Sequence, residues 1–207
     1  LRHLATHTSG LAYDVWHAGQ ARYLAHVGGR SPLSGERSAL AGFPLHFEPG
    51  TDWAYGPSTD WLGLAVEAIS GERIDAFLRR EILGPLGMTS TDVICSPEMA
   101  ARRVAVHARG PEGWKVVSLD LPEAPEFFGM GHALSGTALD YARFCRMILN
   151  GGALDGRRVL SPASTALMTA NALGARRVPP QTSVNPRQSA DIDLPPGVET
   201  SHSIGLM

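Results

Sequence analysis

Apolar residues recur at helical spacing in several stretches of this chain and alternate in two others. Over residues 59–70, Trp61, Leu62, Ala65, Val66 and Ile69 form one stripe, and Gly71 supplies the stop. Over residues 74–83, Ile74, Phe77, Leu78 and Ile82 face one way, with Arg79, Arg80 and Glu81 mostly opposite. Gly84-Pro85 predicts the end of this helix, because proline lacks the N–H that would continue it. A third helix is predicted over 138–150, opened by a capping box of Thr137 and Asp140 and closed by Gly151-Gly152. A fourth begins at Ser161-Pro162, a cap followed by proline at the first helical position. Residues 103–108 and 114–119 read as one β-hairpin across a Gly-Pro-Glu-Gly turn, and residues 158–160 as a further short strand.

Other stretches carry weaker patterns. Residues 2–11 read as the end of a helix closed by Gly10. Residues 17–45 are rich in Gly, Ser and Pro and predict a loop with one short helix around 20–27. Residues 175–200 hold five prolines and little apolar content. They predict a long loop or mobile segment, of a length that marks a lid or insertion near a site. No internal repeat is present. The expected fold class is α+β, mainly helical with a minor antiparallel part.

Size and charge narrow the function. The 207 residues fit one domain, or one and a half. A hydrophobic fraction of 43% and a charged fraction of 18% are those of a globular chain. A net charge of −2 excludes the broad basic field that grips nucleic acid, and argues against an anionic membrane surface as main partner. No apolar run approaches the ~20 residues that span a bilayer. Of 18 basic residues only Lys115 is a lysine, so a catalytic lysine has one position to occupy. Cys95 and Cys145 lack metal spacing and read as buried free thiols.

The segment from Glu48 to Gly71 carries the chemistry. A glycine turn delivers Tyr55, and a helix begins just after it, near Ser58. A phenol held this rigidly is suited to proton transfer, although its ordinary pKa of about 10 makes it a poor base near neutrality. Its plain alternative is to anchor the turn. Ser58 reads either as a substrate-binding hydroxyl or as the helix cap. Trp53 reads as the wall of an acyl pocket or as packing, and Trp61 as core. His132, between Gly131 and Ala133, reads as a pocket residue or as part of a close backbone contact. The Phe127-Phe128-Gly129-Met130 run makes an apolar wall or ordinary core. His3 and His7 fall four apart with no third ligand nearby, so a metal is not expected, and His7 reads as a loop anchor. Neither Ser9 nor Ser135 has a neighbouring base, and no Ser or Cys is placed as a nucleophile for Tyr55.

Five strings, in order, resemble the serine β-lactamase-like superfamily, which includes penicillin-binding proteins, class C β-lactamases, D-aminopeptidases and related esterases. They are Leu1-Arg-His-Leu-Ala-Thr-His-Thr-Ser-Gly-Leu11, Phe47-Glu-Pro-Gly-Thr-Asp-Trp-Ala-Tyr55, Glu67-Ala-Ile-Ser-Gly71, Gly84-Pro-Leu-Gly-Met88 and Gly129-Met-Gly-His-Ala-Leu-Ser-Gly-Thr-Ala-Leu-Asp140. Together they cover roughly residues 1–170.

The resemblance implies a β-lactamase/transpeptidase-like fold and acyl transfer through a serine ester. Its motifs are Ser-x-x-Lys, Tyr-x-Asn and Lys-Thr-Gly or a variant. Only the middle one has a counterpart here, at Tyr55, which the resemblance makes the catalytic proton carrier, its phenolate favoured by a lysine ammonium. Three residues before Lys115 stands Glu112, so no Ser-x-x-Lys is present. Residues 1–207 are therefore expected to be a partial domain, lacking the nucleophile segment and the last strands, inactive and poorly folded alone. Pro57 stands where many relatives have Asn, and Tyr55-Gly-Pro-Ser-Thr-Asp60 resembles the esterase branch most. An ester is the expected small-molecule substrate, with an amide substrate or a non-catalytic binding role as alternatives. No cofactor is expected.

Overall fold

The helix that starts behind Tyr55 forms where the apolar stripe places it. In the computed structural model, which describes residues 1–118, 122, 124–192 and 198–206, α4 spans Ser58–Ser70. Gly71, in the left-handed conformation, ends it. Gly63 faces Met130 so closely that a Cβ there would meet the methionine side chain at 2.6 Å. The buried positions are Ser58, Asp60 and Gly63, in the first half of the helix. Ile69 is not part of the buried stripe: it is 75% exposed, and Ala68 beside it is exposed too.

Ahead of α4 come α1 (Arg2–Ala5), α2 (Ala18–Val27), a 3₁₀ turn at Pro32–Ser34 and α3 (Arg37–Ala41). The short helix predicted at 20–27 is α2, opened by His17, whose Nδ1 accepts from the Gln20 N–H at 3.2 Å. Helix α1 is closed by Thr6, not by Gly10. Gly10 serves a close approach instead, since a Cβ would lie 2.4 Å from the Phe47 carbonyl oxygen.

After α4, helix α5 (Ile74–Leu78) does not stop at Gly84-Pro85. It widens into a π turn over Arg79–Leu83 and continues as α6 (Gly84–Leu86), which Gly87 ends. The Gly84 N–H donates to the Arg79 carbonyl five residues back. The wider turn gives Pro85 room, so the helix absorbs the proline instead of breaking. Helix α7 (Pro97–Ala101) leads into a hairpin of β1 (Val106–Gly110) and β2 (Gly113–Val117), with Val106 opposite Val117. This is the predicted hairpin, shifted toward its turn; residue 119 lies outside the described residues. Every residue of both strands is exposed.

Helix α8 (Ala138–Leu149) carries half of the predicted capping box. Thr137 Oγ1 accepts from the Asp140 N–H at 3.2 Å, while the Asp140 carboxylate accepts from Ser90 N and Thr91 Oγ1 at 2.8 and 2.9 Å. A two-residue ribbon follows, β3 (Ala153–Leu154) with β4 (Arg157–Arg158), turned by Asp155-Gly156, both at positive φ. Helix α9 (Pro162–Thr169) starts at the predicted Ser161-Pro162 cap. Leu83, Leu86, Met88, Met147 and Leu154 form one apolar core beneath α6 and α8. The architecture is α+β, with two separate antiparallel pairs among the described residues.

The described part of the proline-rich tail is stitched down. Gln181 pairs with Ile192. Val184 N and Ser189 Oγ both donate to the Val15 carbonyl, at 2.9 and 3.1 Å. Arg176 donates to the carbonyls of Gly50 and Thr51. Pro195 and Pro196 lie outside the described residues. Cys95 and Cys145 are free and half-buried.

Candidate active site

Tyr55 is held by backbone pairing on both sides. The Ala54 N–H donates to the His7 carbonyl and the Tyr13 N–H donates to the Tyr55 carbonyl, each at 3.0 Å. Gly56 allows the approach: a Cβ there would stand 2.4 Å from the Leu11 carbonyl oxygen. The turn before it closes through Gly50, at positive φ, whose N–H donates to the Thr8 carbonyl at 2.8 Å. The Tyr55 ring then sits against His7, Tyr13 and Trp16, with centroids 4.8, 5.5 and 5.7 Å away. The residue remains 37% exposed, so the phenol is framed by aromatic rings yet reachable from solvent. Trp16 in turn donates through Nε1 to the Ala190 carbonyl at 3.4 Å, which brings the tail to the edge of this ring cluster.

Of the other residues singled out in the sequence, His7 meets Tyr55 ring to ring, while Trp53, Ser58 and His132 have their contacts elsewhere. Trp53 is buried and packs on His7 and His202, with its indole N–H unpaired. Ser58 is fully buried and does not cap the helix, whose N-cap is Pro57; its hydroxyl is bonded to Ser9 Oγ at 2.8 Å, beneath the surface. Pro57 is likewise fully buried. His132 is half-buried beside Gly129 and lines a small depression with Leu33, Phe127 and Phe128. Ser135 pairs through its backbone with Asp92. His3 turns to Thr8, Nδ1 to Oγ1 at 3.0 Å, away from His7. No metal cradle of three or more His, Cys, Asp or Glu occurs among the described residues. Lys115 pairs with Glu112 on the exposed hairpin.

Three residues of the site were not singled out in the sequence. Asp60, in the first turn of α4, is fully buried; its Oδ1 accepts from the Gly131 N–H at 2.8 Å and its Oδ2 has no partner. Asp60 falls on the helix face opposite the predicted stripe, so periodicity reads it as a solvated first-turn acid and gives no signal of its burial. Tyr13 presents its edge to Tyr55. His202 lies 5.4 Å from His7, ring to ring, and nothing in local sequence links it to a tyrosine 147 positions earlier.

Electrostatics here follow from burial. Burial raises the Tyr55 pKa above its ordinary value, and Asp60 raises it further. This is opposite to the lowering implied by a neighbouring ammonium. Burial, then Asp60, then Tyr55 push Tyr13 up as well. Burial also raises Asp60 itself, opposed by the Gly131 N–H and by His132. His7 is held down to about 4, by burial first and His202 second, and is therefore neutral at neutral pH. Its backbone is at φ +53, a conformation that costs a non-glycine residue about 1 kcal/mol or more.

This arrangement has known relatives. Protein Rv1367c of Mycobacterium tuberculosis is 38% identical over 176 residues, covering 82% of this chain and 43% of its own length. Lovastatin esterase of Penicillium rubens is 31% identical over 84% of the chain and 44% of its own length. The chain thus spans under half the length of these curated relatives. Among solved structures, a mutant of simvastatin synthase from Aspergillus terreus superposes with a TM-score of 0.69 at 29% identity, over 83% of this chain and 41% of that one. The chain shares its fold with that structure, and the Beta-lactamase family model matches residues 1–193. The chain belongs to the Beta-lactamase family, in the serine β-lactamase-like superfamily.

Proposed function

We propose that this chain is the tyrosine-bearing part of a serine enzyme that transfers an acyl group from carboxylic esters, with Tyr55 carrying the proton. The observation that supports it most is the Tyr55 phenol, fixed by backbone pairing on both sides yet open to solvent. Tyr55 would take the proton of an attacking hydroxyl as the acyl–serine ester forms and return it to the departing alcohol. Water or a second alcohol would then release the acyl group. The nucleophile, a lysine ammonium beside Tyr55 and further strands would come from protein outside these 207 residues, which on this reading are a partial domain.

Esters are favoured over amides for two reasons. Lovastatin esterase and acyltransferase calJ of Penicillium decumbens, 31% identical over 99% of this chain and 50% of its own length, are relatives by name devoted to acyl chemistry. The buried Pro57 offers no side-chain amide to a substrate N–H, an interaction worth about 1 kcal/mol. His132 and the depression it lines form a candidate wall for the acyl or alcohol group.

One experiment tests the whole reading. The whole protein and the 207-residue chain are each given a p-nitrophenyl ester and a chromogenic cephalosporin. The whole protein is expected to turn over the ester with the higher kcat/KM, and the chain alone neither, since loss of a serine nucleophile costs about 10⁶ in turnover in a comparable enzyme. Faster turnover of the cephalosporin, or ester turnover by the chain alone, contradicts it.

A further inference from the structure

Two imidazoles and one buried amide meet where α2 begins, one residue from a ring that frames Tyr55. His17 and His46 lie with ring centroids 4.0 Å apart, and each is bonded to Gln20, which is fully buried. The Gln20 N–H donates to His17 Nδ1 at 3.2 Å, which caps α2, and His46 Nε2 donates to Gln20 Oε1 at 2.8 Å. These bonds fix both tautomers. An N–H donor requires a bare Nδ1 on His17, and a carbonyl acceptor requires the proton on Nε2 of His46. A Cβ at Gly19 would lie 3.3 Å from His17 Nδ1 and 3.4 Å from His46 Nδ1, so the two bare nitrogens crowd one glycine. Both histidines are tied to the site. Trp16, next to His17, packs its ring on Tyr55 at 5.7 Å and donates to the Ala190 carbonyl. The His46 N–H donates to the Gly10 carbonyl at 2.9 Å, in the loop whose Ser9 is bonded to Ser58.

We propose that His17 and His46 form a proton-operated latch: while neutral they hold the start of α2 and, with it, the Trp16 ring against Tyr55, and protonation releases both. A proton on His17 Nδ1 abolishes the cap and orphans the Gln20 N–H. It also sets a positive charge at a helix N-terminus, where the backbone dipoles disfavour it. A proton on His46 goes to its bare Nδ1, beside the same glycine and against the neighbouring ring, so a second charge meets the first at contact distance. The surroundings act in the same direction. Burial and then Arg22, in the second turn of α2, lower the basicity of His17, and burial and then His17 lower that of His46. Neither ring pairs with a carboxylate among the described residues, and Gln20 between them is neutral. The cap is therefore complete above the ordinary imidazole pKa of about 6.5 and weakens as pH falls below it. The latch bears on function through the reading of Tyr55 as a proton carrier, but its existence does not depend on that reading.

Amide hydrogen exchange in the whole protein tests this without reference to activity. After correction for the intrinsic pH dependence of exchange, the Gln20 N–H is expected to lose protection by about tenfold between pH 7 and pH 5. Release of one imidazole of pKa about 6.5 permits at most about 25-fold over that range. The nuclear Overhauser contact between the Trp16 and Tyr55 rings should weaken in step. His17→Asn keeps a capping oxygen and removes the titrating ring, so in that variant both the protection and the ring contact should hold at pH 5. Protection unchanged by pH in the unaltered protein, loss at Gln20 with the ring contact intact, or the same loss in His17→Asn overturns the proposal. A second measurement needs no variant. At pH 7 the ¹⁵N spectrum must show His17 protonated on Nε2 and bare on Nδ1, and the opposite tautomer overturns the latch as well. If the latch responds as expected while Tyr55→Phe costs no rate, the latch stands and the proton-carrier reading fails.

Discussion

The packing around Met147 and the packing around Tyr55 use opposite materials. Under α6 and α8, Leu83, Leu86, Met88, Met147 and Leu154 meet as one apolar cluster. Around Tyr55, by contrast, the buried residues include Thr6, His7, Thr8, Ser9, Ser58 and Asp60. The buried side-chain polar atoms that lack partners among the described residues are His7 Nδ1, Gln20 Nε2, Trp53 Nε1 and Asp60 Oδ2, all within the first 60 positions. Each such atom costs about 1–3 kcal/mol. The first region is built to be stable. The second tolerates unpaired polar atoms, a left-handed histidine and a buried acid, features that cluster where chemistry is performed.

Two substitutions in the whole protein would break or sharpen that contrast. The larger effect is expected from Met147→Ala, which removes a fully buried side chain from the apolar cluster. It should lower unfolding free energy by about 2–5 kcal/mol in denaturant titration while leaving the KM for an ester unchanged. A change in KM without loss of stability would show that the two regions are not separable. The smaller effect concerns His7. Its folded-state pKa of about 4 lies below the ordinary 6.5, so unfolding takes up a proton between those values. Stability is therefore full above about pH 6.5 and declines as pH falls toward 4, by at most about 3 kcal/mol from this residue. His7→Asn, which tolerates the left-handed backbone, should flatten that decline in chemical denaturation at pH 4 and pH 7. An unchanged slope would remove His7 from the account.

What could be read in advance divides along the same line. Helix α4 was legible from its stripe and its Gly71 stop, and α8 and α9 from the residues that cap their starts. Thr137 and Ser161 accept the N–H bonds that their spacing predicts. The end at Gly84-Pro85 was misread because a π turn, invisible to periodicity, lets the chain carry proline onward. Ser58 read as surface chemistry or a cap because a serine at a helix start usually caps. Here Pro57 takes the cap and Ser9 takes the hydroxyl. Tyr55 was legible because its turn and helix are local. His202 and the meeting of Tyr13, Asp60 and Gly131 were not, since each contact joins segments many tens of residues apart. The β3–β4 ribbon could have been found from Asp155-Gly156, a pair suited to two successive positive-φ positions.

The central claim is that the Tyr55 hydroxyl moves the proton in acyl transfer, and its removal tests this most directly. In the whole protein, Tyr55→Phe keeps the ring against His7, Tyr13 and Trp16 and deletes one oxygen. Single-turnover acylation by a p-nitrophenyl ester should slow by about 10²–10⁴ at neutral pH, with thermal stability close to that of the unaltered protein. Acylation at the original rate in a folded Tyr55→Phe protein would contradict it.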